Sequence, residues 1–229
     1  LPYGARLQNV GFLSFRRGKI IYRRRKMEIA KFITELASSA PSPGGGGVAA
    51  LCGALSAALS SMVCELTSGK KKYAQYQADI ERISEKAKSL AADFTALMGE
   101  DEEAFLPLSR AYGLPKDAKG REEIIEAALV RAAEVPFRVL GKCRDAAELA
   151  AELAEKGSRL VISDAGVAAA VCEAAAKSAA LNVYANTKLM KNRAAADATA
   201  TETAKMAEET VCLCRRAYDE VEKYLNNII

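Results

Sequence analysis

Histidine is missing from the sequence altogether. Its absence removes the commonest general base and the commonest metal ligand, so any chemistry falls to carboxylates, lysines, tyrosines or cysteines. Tryptophan is also absent, there are only six prolines, and half of the residues are hydrophobic. With Ala, Leu, Glu and Lys abundant and no strand alternation of useful length, this composition selects an all-α globular protein. A length of 229 residues suffices for one domain with a sizeable core. Of the six cysteines, Cys52, Cys64, Cys143, Cys172, Cys212 and Cys214, no two form a C-x-x-C pair. Cys212 and Cys214 project to nearly opposite sides of a helix, so no metal site is expected, and reduced thiols in a cytoplasmic protein are.

Charge of one sign is missing from the start of the chain. Residues 1–26 hold eight basic residues and no acid, whereas from Met27 onward 25 basic residues face 29 acidic ones. The net charge of +4 therefore belongs to the leader. The expectation is a basic N-terminal extension over 1–26 outside the fold and a helical domain over 27–229. No recognition motif accompanies the extension, so no nucleic-acid partner is expected.

Charge of either sign is missing between Glu35 and Glu65. This stretch runs from Pro41 and Pro43 through Gly44, Gly45, Gly46 and Gly47 into a helix bearing Val48, Leu51, Leu55, Leu59, Met62 and Leu66 on one stripe. Ala50, Gly53, Ala54, Ala57, Ser60, Ser61 and Cys64 occupy the other side. The pattern predicts a central helix whose large stripe fills the core and whose small stripe admits a close neighbour. Its Ser and Gly content argues against a membrane span, and no membrane partner is expected.

The rest reads as further helices. A short first helix opens at Met27 and ends near Ser38 before the prolines. The seam Tyr76, Ile80, Ile83, Ala87, Leu90, Phe94 and Leu97 predicts a helix ending near Gly99. Glu100–Glu103 then resembles the acid-rich first turn of a new helix, kinked at Pro107 and ended at Gly113. A long helix follows Gly120, bent at Pro136 and closed at Gly157. Ser163 and Asp164 are expected to cap the next helix, which carries Val167, Val171, Leu181 and Val183. The last helix shows a seam of Ala204, Ala207, Val211, Cys214, Tyr218, Val221, Leu225 and Ile228. The predicted architecture is a single-domain multihelical bundle of long antiparallel helices.

The run Pro43-Gly44-Gly45-Gly46 with Val48-Ala49-Ala50-Leu51, followed by Thr67-Ser68-Gly69-Lys70-Lys71-Lys72-Tyr73, resembles the signature of the cyclodeaminase/cyclohydrolase family. That family comprises the cyclodeaminase half of formiminotransferase-cyclodeaminase and the free-standing bacterial methenyltetrahydrofolate cyclohydrolases. The likeness continues in Asp101-Glu102-Glu103-Ala104-Phe105, Ala111-Tyr112-Gly113-Leu114-Pro115-Lys116, Glu134-Val135-Pro136, Ser163-Asp164, Asn182-Val183 and Asn186. Gly47 departs from it, standing where a Ser or Thr often follows the third glycine and leaving no hydroxyl for a contact or cap. The resemblance implies an all-helical homodimer acting on the one-carbon bridge between the 5- and 10-nitrogens of tetrahydrofolate, polyglutamylated or not, with no other cofactor.

The residues suit that chemistry. Consecutive glycines let backbone N–H groups converge at a helix N-terminus, so Gly44, Gly45 and Gly46 could hold a carboxylate or carbonyl, although without the resemblance a hinge or close-packing turn is the plainer reading. Hydrolysis of a methenyl bridge needs a base to activate water, and deamination of a formimino group needs a base and an acid. Asp164 is the first candidate, Asp101 the second, and Lys70 with a depressed pKa the third. Lys71 and Lys72 could take a glutamate tail, or simply neutralise the helix C-terminus. Ser163, Asn182 and Asn186 complete the expected binding set, the two asparagines sharing one helix face. Glycines and lysines lie about 30 Å apart on one helix. The ligand must then be long, shared between chains, or held at one end only. Hydrolysis is preferred to deamination because no formiminotransferase half is attached. The reading from another class is a non-catalytic helical dimer module.

Overall fold

The computed structural model describes residues 29–226. Among them are helix α1 over 29–36, then α2 (Gly45–Glu65), α3 (Gln77–Tyr112), α4 (Arg121–Lys156), α5 (Ile162–Thr187) and α6 (Arg193–Asn226). Two 3-10 segments, Lys71–Tyr76 and Arg159–Val161, join them, and the described residues contain no strand. The fold is all-α, as the composition predicts. The chain divides into two units, one ending at Pro43 and the other beginning at Gly44. In the first, α1 carries an exposed Lys31–Glu35 pair at 3.5 Å and a Thr34 hydroxyl bonded to the Ala30 carbonyl at 2.8 Å. The predicted opening at Met27, the extension over 1–26 and Ile228 lie outside the described residues.

In the second unit α2 touches α3, α4 and α5, and this three-sided contact inverts the predicted roles of its faces. Ala49, Ala50, Gly53, Ser56, Ala57 and Ser60 are buried, while Leu55 is 50% and Met62 38% exposed. Helix axes approach to about 8–10 Å only where side chains at the contact are small, so the small stripe is the core face. At Gly53 an added Cβ would overlap the ring of fully buried Phe94 on α3. The same inversion marks α5, whose Ala-rich face is buried while Leu181 is 67% exposed.

Helix α3 keeps the predicted seam from Ile80 to Leu97 buried, but it does not stop at Gly99. One helical glycine costs about 1 kcal/mol relative to Ala, and the buried positions continue beyond it through Ala104, Leu108 and Ala111. Glu100–Glu103 therefore sit within a helix, not at its start. Helix α4 opens after Gly120 in the left-handed region (φ 76°) and closes at Gly157, as expected. Interhelical pairs set the register: Asp79 with Lys156 and Arg82 with Glu152 at one end of α3, Asp93 with Lys142 farther along. Glu65 at the end of α2 meets Ser84 and Lys88 near the start of α3.

Helix α5 begins at Ile162 behind Val161, with no side-chain cap. Ser163 and Asp164 thus lie in its first turn and do not cap it, because the preceding 3-10 segment already turns the chain. In α6 the buried seam is Ala196, Thr203, Thr210, Cys214, Ala217 and Val221, with Tyr218 and Leu225 exposed. The hydroxyls of Thr203 and Thr210 bond back to the carbonyls of Thr199 and Met206, so both threonines present methyl groups to the core. That is why Ala204, Val211 and Tyr218 were displaced from the predicted seam. All six cysteines are free; Cys64, Cys143, Cys172 and Cys214 are buried, whereas Cys212 is exposed.

Candidate active site

The glycine run ends in the first turn of α2. Gly44 is the N-cap residue in an extended conformation, and no side chain caps the turn. The N–H groups of this turn are thus left to other partners. One group faces them: the carboxylate of Asp101 reaches across from α3 to the Gly46–Gly47 backbone. An added Cβ at Gly46 would overlap the Asp101 carboxylate, and one at Gly45 would lie 2.9 Å from the Asn182 side-chain nitrogen. Successive glycines therefore let a carboxylate and an amide approach one helix end from two neighbouring helices.

Asp101 is half-buried. Burial raises its pKa, and the nearby Gly47 N–H only partly opposes that rise. A carboxylate raised in this way is a stronger base when ionised, and its proton is exchanged nearer neutral pH. No cation contributes to the shift, so a cationic ligand arriving at this carboxylate would meet an uncompensated charge.

Asn182 and Asn186 share a face of α5, as their spacing predicts. The Asn182 amide donates to the Ser178 carbonyl at 2.8 Å. The Asn186 amide donates to the Asn182 carbonyl at 2.9 Å and to the Ala132 carbonyl of α4 at 3.2 Å.

The remaining predicted residues lie at the far end of α2 or α5. Lys70, half-buried, donates to the Ser158 hydroxyl at 3.1 Å. The Ser158 N–H donates to Thr67 Oγ1 at 2.9 Å, and the Arg159 N–H donates to the Tyr73 phenol oxygen at 2.8 Å. That last bond is the main cause of the lowered Tyr73 pKa. The Arg159 guanidinium lies 4.7 Å from the Tyr224 ring centre. Lys71, Lys72 and Ser163 are exposed and Asp164 is half-buried in the first turn of α5. With 21 residues, α2 holds the two groups about 30 Å apart. The structure thus joins Gly44–Gly47, Asp101 and Asn182 with Asn186 beside it, and keeps Lys70–Lys72 and Asp164 away from them.

Sequence reasoning missed Ser158 and Arg159, although a polar pair directly after the helix-closing Gly157 is a signal for a structured turn.

Architecture and cluster define an all-helical protein whose candidate site gathers at the glycine-opened end of its central helix. The chain belongs to the formiminotransferase-cyclodeaminase family, whose sequence model matches residues 28–205. It is 45% identical over 202 residues to methenyltetrahydrofolate cyclohydrolase of Methylorubrum extorquens, covering 86% of this chain and 97% of that protein. It is 31% identical over 163 residues to formimidoyltransferase-cyclodeaminase of Rattus norvegicus, covering 69% of this chain but 30% of that longer protein. The crystal structure of formiminotetrahydrofolate cyclodeaminase from Thermotoga maritima superposes with a TM-score of 0.73 at 31% identity, covering 86% of this chain and 94% of the other.

Proposed function

We propose that the protein is a folate one-carbon enzyme that hydrolyses the 5,10-methenyl bridge of tetrahydrofolate to the 10-formyl derivative, with Asp101 as general base. The observation that carries the reading is the half-buried Asp101 carboxylate packed against Gly46 in the first turn of α2, in a chain 45% identical to a methenyltetrahydrofolate cyclohydrolase. Ionised Asp101 attracts the cationic bridge and takes a proton from water as its oxygen bonds to the methenyl carbon. The neutral carbinolamine then opens: its hydroxyl proton leaves, the 5-nitrogen is protonated as its bond to carbon breaks, and the formyl group stays on the 10-nitrogen. One proton is released in the sum. Gly44–Gly46 and Asn182 hold polar groups of the folate, with Asn186 behind them. Asp164 and Lys70 remain alternative bases only if a second chain brings their end of the bundle to the bridge.

A homodimer supports this arrangement. The outward faces of the mutually packed helices α2 and α5 expose Leu55, Met62, Leu66, Val167 and Leu181, an apolar surface of the kind that marks an interface. Register pairs such as Gly53 with Phe94 and Glu65 with Lys88 fit long antiparallel neighbours. Twofold pairing along α2 would bring the lysine end of one copy to the glycine end of the other, where Lys71 and Lys72 could receive a glutamate tail. The domain in this reading spans 27–229, with 1–26 outside it, and works in the cytoplasm on a tetrahydrofolate derivative alone, without metal, nucleic acid or membrane.

Formiminotetrahydrofolate cyclodeamination is the second reading, favoured by the likeness to the Thermotoga maritima enzyme. Methenyl absorbance separates the two: purified protein should accelerate its loss from methenyltetrahydrofolate, whereas its appearance from formiminotetrahydrofolate would establish deamination. A protein that did neither would be the non-catalytic dimer module.

A further inference from the structure

We infer that Pro136 is a positioning residue for the candidate site: by removing one backbone donor from α4 it frees the Ala132 carbonyl to fix the side-chain amide of Asn186. The inference rests on the reading of Asn186 as part of the folate site. In an uninterrupted helix the carbonyl of residue 132 would accept the N–H of residue 136, but proline has none. Ala132 is buried among α4 and its neighbours, where an orphaned carbonyl is not tolerated. The missing donor is supplied from α5, by Asn186 Nδ2 at 3.2 Å.

The interior proline of α3 provides the contrast. Pro107 vacates the carbonyl of Glu103, an exposed residue where water can serve. Only the buried vacancy recruits a side chain.

The consequence for Asn186 is chemical. Its amide nitrogen carries two protons, and both are used, one on Ala132 and one on the carbonyl of Asn182. The amide cannot flip without losing both bonds, so Oδ1 is the polar atom left free, and it can only accept. One residue turn earlier, Asn182 holds its nitrogen on the Ser178 carbonyl and lies against Gly45. Asn186 Oδ1 therefore offers an acceptor to N–H donors, the chemistry of the amino and ring N–H edge of a pterin, while Asn182 keeps one amide proton free beside it. Pro136 in this account fixes substrate binding without touching substrate.

The test is a double-mutant cycle of Pro136→Ala and Asn186→Ala, read as kcat and KM for methenyltetrahydrofolate. Pro136→Ala restores the backbone donor and releases the Asn186 amide, so it should raise KM about 5- to 10-fold with kcat little changed, as loss of one hydrogen bond does. Asn186→Ala should do the same, and the double variant should be no worse than Asn186→Ala alone. Multiplying effects would overturn the inference while leaving Asn186 in the site; unchanged KM in Asn186→Ala would remove Asn186 from the site. A measurement on the unaltered protein stands beside these in case Pro136→Ala fails to fold. Both Asn186 side-chain amide protons should exchange with solvent far more slowly than those of a free asparagine, and exchange at the free rate would overturn the inference.

Discussion

A half-buried carboxylate beside a helix N-terminus feels two opposed influences on its proton. At Asp101 burial dominates and the pKa rises above the ordinary value of about 4. As the proposed base, Asp101 must be ionised to accept a proton, so kcat/KM should fall as pH is lowered through its raised pKa. Stability should move the other way. A folded-state pKa raised above the unfolded one contributes stability that is complete below the unfolded value and lost as pH rises through the folded value. Asn at this position has no charge to bury and nearly the same shape, so Asp101→Asn should unfold at no lower denaturant concentration at neutral pH than the unaltered protein. A markedly lower midpoint would show that the ionised carboxylate holds the fold together. The position was legible in the sequence: Leu97, Asp101, Ala104 and Leu108 follow one another at four, three and four residues. An acid on the core seam of a helix is conspicuous, but the expected break at Gly99 concealed it. Asp164, by contrast, drew attention as a lone acid at a helix start, and the pattern could not say that this start lies at the opposite end of the bundle from the glycines.

At the scale of the element, α2 explains both what sequence revealed and what it hid. Its length, its uncharged composition and the glycines at its entry were readable from spacing. Which stripe faces inward was not, because amphipathicity ranks residues by hydrophobicity while a helix touched on three sides is selected by size. Gly53 tests this. Gly53→Ala gains about 1 kcal/mol in helix propensity but forces a methyl into the Phe94 ring, and such overpacking costs about 1–3 kcal/mol. The net should be a loss of about 1 kcal/mol, or about 3 °C in Tm, reversed when Phe94→Leu is added. An increase in Tm from Gly53→Ala alone would mean that the α2–α3 contact is looser than described. The outward stripe gives the complementary result. Leu55→Lys touches no core and should leave circular dichroism nearly unchanged while converting the proposed dimer to a monomer in sedimentation; an unaltered sedimentation coefficient would place any interface elsewhere.

At the scale of the molecule, helices α2 to α6 hold two polar groups about 30 Å apart, one at the glycine end of α2 and one where Lys70, Tyr73, Ser158 and Arg159 tie the turn after α2 to the turn before α5. One chain cannot close both around a bicyclic pterin, but a long folate or a pair of chains can use both. Which end carries the chemistry is therefore the central question, and the burial of Asp101 against Gly46 is the ground on which we propose the glycine end. The most direct test follows methenyltetrahydrofolate absorbance near neutral pH with unaltered protein and with Asp101→Asn and Asp164→Asn variants of verified fold. The unaltered protein should accelerate the loss over buffer, Asp101→Asn should lower that acceleration by about 10²- to 10⁴-fold as loss of a general base does, and Asp164→Asn should keep most of it. Full activity in Asp101→Asn, or loss confined to Asp164→Asn, would contradict the account.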